Sequence, residues 1–308
     1  MPIAIIVHGG AGNIAPDRFE GSHAGCKEAA LAGWRILQRG GSALEAVEAA
    51  VRVLEDNPHF NAGTGACLTN EGNIELDAGM MEGNTLRVGA VAGVELIKNP
   101  ISLARKVMES PHVLLVGKGA QEFALEQGIA LCAFEDLLTE RQYTVWKQSL
   151  EAREAEEGPR YHRREVQSVP RHEDKHGTVG AVALDTSGYL AAATSTGGTL
   201  NKYPGRVGDS PLVGCGFYAD DDAAISCTGH GEDFIRLLIA KRVADCVAKG
   251  MTARDAAEAT IALLGAKAEG RGGLIVVDRL GNVGFAWNTE HMAYAYMNEA
   301  LTEPVSGI

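Results

Sequence analysis

Hydrophobic positions along this chain alternate between short unbroken runs and helical spacing. Residues 3–8, IAIIVH, are a continuous apolar run that ends in glycines, which predicts a buried strand feeding a tight loop. Two helical stretches follow. In 19–39 the residues Ala29, Ala32, Trp34, Ile36 and Leu37 supply an apolar face. The second, SALEAVEAAVRVLEDN, opens with a Ser42–Glu45 capping box and carries Leu44, Val47, Val51 and Leu54 at helical spacing. Glycine-rich, strand-like segments occupy 60–94. A helix over 101–109 leads into the strand HVLLVG, and another helix runs over about 118–127.

Residues 140–176 break the pattern. They mix both charge signs, contain two prolines and offer few core residues, so a mobile linker is expected there, helical in part near 144–157. The chain then becomes strand-dense, over 178–185, 189–196, 213–219 and 223–228. Helices over about 231–249 and 252–265 precede strands near 273–278, 282–287 and 291–297. TVGAVALD and YLAAATST are apolar on both faces, so both faces should be covered. No internal repeat is found. Segregated strands and paired helices point to layered sheets with helices outside.

Composition narrows the function classes. With 45% hydrophobic and 22% charged residues the 308-residue chain has ample core. Its formal charge of -12 argues against a nucleic-acid binder, which needs a basic face. There is no basic leader and no stretch near 18 apolar residues, so no membrane partner and a cytoplasmic location are expected. The six cysteines lack C-x-x-C spacing and read as reduced, buried thiols.

Chemistry concentrates at HEDKHGTVGAVALD, residues 172–185, where polar sequence turns abruptly into a strand. Alone, Gly177–Thr178 reads as a glycine turn entering a strand. A second reading starts from the weakness of a threonine hydroxyl as a nucleophile. One solution makes threonine the first residue of a chain, so that its own α-amine is the base, with a pKa of about 7.7 to 8.0. A cleavable linker ending at Gly177 is what that solution requires. The segments TSTGG at 194–198, GRVGDSP at 205–211 and CTGHGE at 227–232 add hydroxyls, glycines and a pair of opposite charges. Arg206 and Asp209 are either a loop ion pair or a clamp for a carboxylate and an ammonium, the zwitterionic end of an amino acid. Gly229–His230–Gly231 is either an ordinary helix start or a place where N–H groups hold an oxyanion.

These motifs, with HGGAG at 8–12, NPHFNAGTGA at 57–66, ELDAGMMEG at 75–83, GAVAGV at 89–94 and NPISLARKVME at 99–109, resemble in order the plant-type asparaginase / isoaspartyl aminopeptidase family of N-terminal nucleophile hydrolases. The likeness covers nearly the whole chain except about 140–174. It implies an αββα four-layer sandwich in which 1–177 is an α-subunit and 178–308 a β-subunit, together one structural domain, assembled as (αβ)₂. It implies self-cleavage between Gly177 and Thr178, with Thr178 then the nucleophile and Thr196 tuning it. Arg206 would hold the substrate α-carboxylate and Asp209, with the Gly231 carbonyl, its ammonium. Thr228 and the Gly229 N–H would form the oxyanion hole, and Asn61 would orient the acyl part. No cofactor is needed for the chemistry. A structural sodium ion is implied on the main-chain carbonyls of Leu54, Glu55, Asn57, Phe60, Ala62 and Thr64. The reaction implied is hydrolysis of the side-chain amide of L-asparagine or of isoaspartyl dipeptides through a β-aspartyl ester.

Four alternatives stand beside it. A glycosylasparaginase usually has a leader and a D-T-I-G junction, whereas His176–Gly177–Thr178–Val179 stands here. An α/β-hydrolase esterase needs a G-x-S-x-G elbow, and a dinucleotide-binding protein needs a helix after its glycine loop; neither is present. A non-catalytic small-molecule binding protein would show no processing. His230 reads as structural or at the substrate rim, and His176 as incidental to cleavage.

Overall fold

The apolar run at the N-terminus forms strand β1 (Ala4–Gly12), and its side chains divide by parity. Ile5 and Val7 enter one apolar cluster while Ala4 and Ile6 enter another. A strand buried on both faces needs a layer on each side, and the computed structural model, which describes residues 1–157 and 177–308, supplies them. The remaining strands are β2 (Leu76–Glu82), β3 (Val88–Val94), β4 (Leu114–Val116), β5 (Val179–Leu184), β6 (Leu190–Thr196), β7 (Phe217–Ala219), β8 (Ala223–Gly229), β9 (Gly272–Asp278), β10 (Val283–Trp287), β11 (His291–Asn298) and β12 (Val305–Gly307). An eight-stranded sheet runs in the order β12-β11-β1-β5-β6-β2-β3-β4, and a four-stranded sheet in the order β10-β9-β8-β7.

Helices α1 (Phe19–Gln38), α2 (Ala43–Asp56) and α3 (Pro100–Met108) cover the outer face of the large sheet. Along the chain there follow α4 (Gly117–Glu126), α5 (Phe134–Leu137), α6 (Glu140–Glu157) and α7 (Gly231–Leu237), then α8 (Ile239–Ala248) and α9 (Ala253–Ala268), which cover the small sheet. Three apolar clusters fill the gaps: helices against the large sheet, sheet against sheet, and small sheet against helices. The architecture is the four-layer αββα sandwich. No helix among the described residues is long and apolar enough to cross a membrane.

Several local expectations needed correction. The helix expected over 231–249 is broken at Leu238, whose φ of 51° and ψ of 51° are left-handed, so that it divides into α7 and α8. The strand expected over 213–219 is reduced to β7 because 213–216 turn at Gly214, with Gly214 N–H donating to the Phe217 carbonyl. The linker expected from 140 begins as helix α6, docked by Gln142, which donates to the Gly65 carbonyl at 2.7 Å, and by the Trp146 indole, which donates to the Thr69 carbonyl at 2.8 Å. The rest of that linker, 158–176 with His176, lies outside the described residues.

Candidate active site

Strand parity brings the hydroxyls together. In β5 the even residues Val182 and Leu184 face the small sheet, so Gly180 and Thr178, just ahead of the strand, lie on that face too. In β6 the same face carries Ala192, Thr194 and Thr196, and in β8 it carries Ala224, Ser226 and Thr228. The inter-sheet space therefore changes character along the strands. Its interior is apolar, its next row is Gly180, Thr194, Ser226 and His8, and its mouth is Thr178, Thr196 and Thr228.

At the mouth the Thr178 hydroxyl donates to Thr196 Oγ1 at 3.2 Å, and Thr196 Oγ1 also accepts the Gly198 N–H at 2.9 Å. Both threonines are buried. With its lone pairs taken up in this way, Thr196 keeps its own hydrogen to return to Thr178 Oγ once that atom has lost its proton. Across the gap, Thr228 Oγ1 accepts the Ala11 N–H at 3.2 Å, which leaves its hydrogen free to point elsewhere. The N–H of His230 donates to the Arg271 carbonyl, and Cys227 N–H donates to the Gly216 carbonyl on the opposite edge. By the alternation of an antiparallel ladder, Gly229 N–H points to the same edge as Cys227, beyond the end of β7. Thr228 O–H and Gly229 N–H are thus two donors at the strand end that faces Thr178.

The row behind is a buried relay. His8 Nε2 lies 2.9 Å from Ser226 Oγ, which lies 2.7 Å from Thr194 Oγ1, and that hydroxyl reaches the Gly216 carbonyl. Burial drives the His8 pKa down to about 3, so the imidazole is neutral. A bulge in β1 between His8 and Ala11 carries Gly9 and Gly10 out of register. Gly10, at φ 107°, approaches so closely that a Cβ there would sit 2.8 Å from Gly177 Cα and 3.6 Å from Thr178 N. The HGGAG motif thus packs directly on the Gly177–Thr178 bond.

Arg206 and Asp209 lie close enough to feel each other's charge but do not pair. Arg206 donates from Nε and Nη2 to Glu232, at 2.9 and 2.7 Å, a side-on bidentate pair. Burial lowers the Arg206 pKa, but the Glu232 contact outweighs it and the net shift is upward. For Glu232, burial pulls upward and is outweighed by Arg206, to about 2. Nη1 stays on the other edge against Gly198 and Gly208, where a Cβ would lie 3.4 and 2.9 Å from it. Asp209 is buried and its Oδ2 has no hydrogen-bond partner among the described residues. Burial raises its pKa to about 7, against the pull of Arg206 and with the push of Glu232 and Asp77. A Cβ on Gly231 would come within 3.0 Å of Asp209 Oδ1, so this glycine makes room for the carboxylate.

Asn61 lies beside Gly177, yet its amide is engaged by protein at both ends. Nδ2 donates to the Gly198 carbonyl at 2.7 Å and Oδ1 accepts the Cys67 N–H at 2.8 Å. It staples the 61–67 loop to the loop after β6. In the preceding turn the carbonyls of Leu54, Asn57 and Glu55 accept the N–H groups of Asn57, Phe60 and Thr64. Gly63 and Gly65 have positive φ, and a Cβ on either would press within 3 Å of the carbonyls of Glu55, Lys98, Pro58 or Phe60. The two glycines thus let the turn pack tightly on these carbonyls, and Ala62 is buried in the same turn.

The sequence reading missed three parts of the site. Glu232 was visible only as an acid in a helix's first turn, and nothing in spacing ties it to Arg206. Lys202 is buried and donates to the Glu75 carbonyl at 2.7 Å, near the buried Asp77. Strand parity was the available signal for the His8–Ser226–Thr194 relay, since Thr194 and Ser226 stand two residues before Thr196 and Thr228.

Known proteins resemble this chain along almost its whole length. A family model described as asparaginase matches residues 1–305. A plant-type L-asparaginase of Thermococcus kodakarensis is 50% identical over 313 residues, covering 99% of each chain. Another from Pyrococcus abyssi is 49% identical over 99% of this chain and 100% of its own length. The isoaspartyl peptidase/L-asparaginase of Homo sapiens is 44% identical, over 96% of this chain and 92% of its own. With a match running essentially end to end, the chain belongs to the asparaginase family.

Proposed function

We propose that this chain is a self-activating amidohydrolase that releases L-aspartate from L-asparagine and from β-aspartyl dipeptides. The observation that carries the reading is the placement of Thr178 Oγ on Thr196, at the inter-sheet mouth opposite Thr228 and Gly229. In maturation, Thr178 Oγ adds to the Gly177 carbonyl carbon, the peptide C–N bond breaks to leave an ester, and water hydrolyses it. The products are a Gly177 carboxylate and a Thr178 α-amine. In turnover that amine takes the Oγ proton while Oγ adds to the substrate's side-chain carbonyl. Thr228 O–H and Gly229 N–H hold the resulting oxyanion. The new ammonium passes its proton to the leaving nitrogen, and water attacks the β-aspartyl ester in the same way. Arg206 offers its Nη1 edge to the α-carboxylate, and Asp209 offers its partnerless oxygen to the ammonium.

The same reading includes a hard monovalent cation on the carbonyls of Leu54, Glu55, Asn57, Phe60, Ala62 and Thr64. It would rigidify the turn that carries Asn61, and no chemical step passes through it. It includes association of two cleaved heterodimers, and a cytoplasmic location, which the six unpaired thiols support. The test is a denaturing gel beside an aspartate-release assay. Active protein should run as pieces of roughly 19 and 14 kDa, the 32.5 kDa chain divided in proportion to length. Thr178→Ala should leave one band and no turnover, and Thr178→Ser should keep some of both. Turnover by uncut Thr178→Ala protein refutes the reading.

A further inference from the structure

The cleft that ends at Gly177, next to Thr178 on its amine side, has a charge pattern that the reaction above does not use. It is lined by Gly10, Asn61 and Gly177 at its inner end and by Arg18, His59 and Arg141 farther out. Among the described residues no carboxylate lines it. Arg18 is half-buried and gives one N–H to the His59 carbonyl. Its pKa falls to about 10, through burial first and then the nearby charge of Arg141, with Asp17 opposing. Neither arginine forms an ion pair with a described residue. Two like charges brought together, with only the nearby charge of Asp17 among the described residues set against them, form a local site for an anion.

The reaction says which anion comes there. The Thr178 ammonium must touch the leaving nitrogen to protonate it, so the leaving group departs on the amine side of Thr178. That is the side of Gly10, whose Cβ position is 3.6 Å from Thr178 N, and of Gly177. Ammonia leaving from asparagine has nothing to offer the arginines. An amino acid leaving from a β-aspartyl dipeptide carries its α-carboxylate one carbon beyond the leaving nitrogen. We infer that Arg18 and Arg141 form a carboxylate subsite for the leaving residue of a β-aspartyl dipeptide with a free C-terminus. This rests on the amidohydrolase reading given above. The Gly177 carboxylate created by maturation is the other carboxylate that chemistry brings to the same cleft.

The experiment compares kcat/KM for β-aspartyl-alanine and β-aspartyl-alanine amide, in wild type and in the Arg18→Gln/Arg141→Gln variant. Both probes share the acyl half, so a folding defect lowers both together and leaves their ratio unmoved. The wild type should prefer the free acid by roughly tenfold, the worth of one charge-assisted hydrogen bond at a part-exposed site. The double variant should bring the ratio near one. Equal rates for the two probes in wild type, or an unchanged ratio in the variant, overturn the inference. If the Gly177 terminus is the occupant instead, the wild-type ratio is one. The double variant then lowers the Tm of mature protein but not of the uncut Thr178→Ala chain, and that outcome also overturns it. Loss of turnover on both dipeptides and on asparagine in the wild type sinks the amidohydrolase reading itself and is distinguishable from either result.

Discussion

A carboxylate serves as an ammonium clamp only when ionised, and at Asp209 the protein makes ionisation costly. Its carboxyl is buried, one oxygen has no partner, and its pKa rises from 3.8 to about 7. Two consequences have defined signs. Below about pH 7 the empty site is protonated, so L-aspartate binding should weaken as pH falls, by up to about tenfold per unit. Calorimetric titration of aspartate at pH 5 to 8 measures this without involving the Thr178 amine as a base. The second consequence is for stability. With the folded pKa above the unfolded one, unfolded chains lose this proton first as pH rises from 3.8 to about 7, so the contribution of Asp209 to stability declines across that window. Asp209→Asn should therefore gain Tm relative to wild type between pH 4 and 7. A constant Tm difference across that range counts against a strongly raised carboxyl.

Gly180 shows what β5 requires as an element. It stands in the middle of the inter-sheet face, and a Cβ there would lie 2.0 Å from Ser226 Oγ and 2.6 Å from His8 Nε2. Gly180→Ala should destabilise by roughly 1–3 kcal/mol, as overpacking does, and should slow self-cleavage because Thr178 lies two residues away. Adding Ser226→Ala should recover part of the loss, since the nearest clashing atom is then gone; additive Tm changes in the double variant would show that the two sites do not touch. Such contacts explain which parts of the molecule were legible in sequence. The Ser42–Glu45 capping box is a local event and forms as read. The two-faced apolar runs of β1, β5 and β6 announced covered sheets, and glycine beside hydroxyls marked the mouth. The break at Leu238 was hidden because a leucine adopts a conformation that normally selects glycine. Docking of α6 rests on scattered side chains, among them Gln142, Trp146 and Ser149, in a largely polar helix whose sequence shows no apolar stripe. The Arg206–Glu232 pair joins residues 26 positions apart, and only the packed fold determines it.

At the scale of the whole molecule, the sheet order decides what one cut peptide bond can do. The hairpin β5–β6 lies between β1 on one side and β2 on the other, and β11 closes on the far edge of β1. Strands from before and after Gly177–Thr178 are thus interleaved, and the cluster under α1–α3 draws residues such as Val47, Leu54, Val179 and Ala193 from both parts. Cleavage removes one covalent link and none of these ladders or contacts, so both pieces should co-elute on gel filtration at any dilution that leaves the protein folded. They should also melt in one calorimetric transition. A fragment of 178–308 made alone would expose both edges of β5–β6 together with the apolar face that α1 and α2 cover, so it should aggregate or remain unfolded. Two separate transitions, or a soluble folded fragment, would show that the parts are independent domains rather than one sandwich divided by a cut.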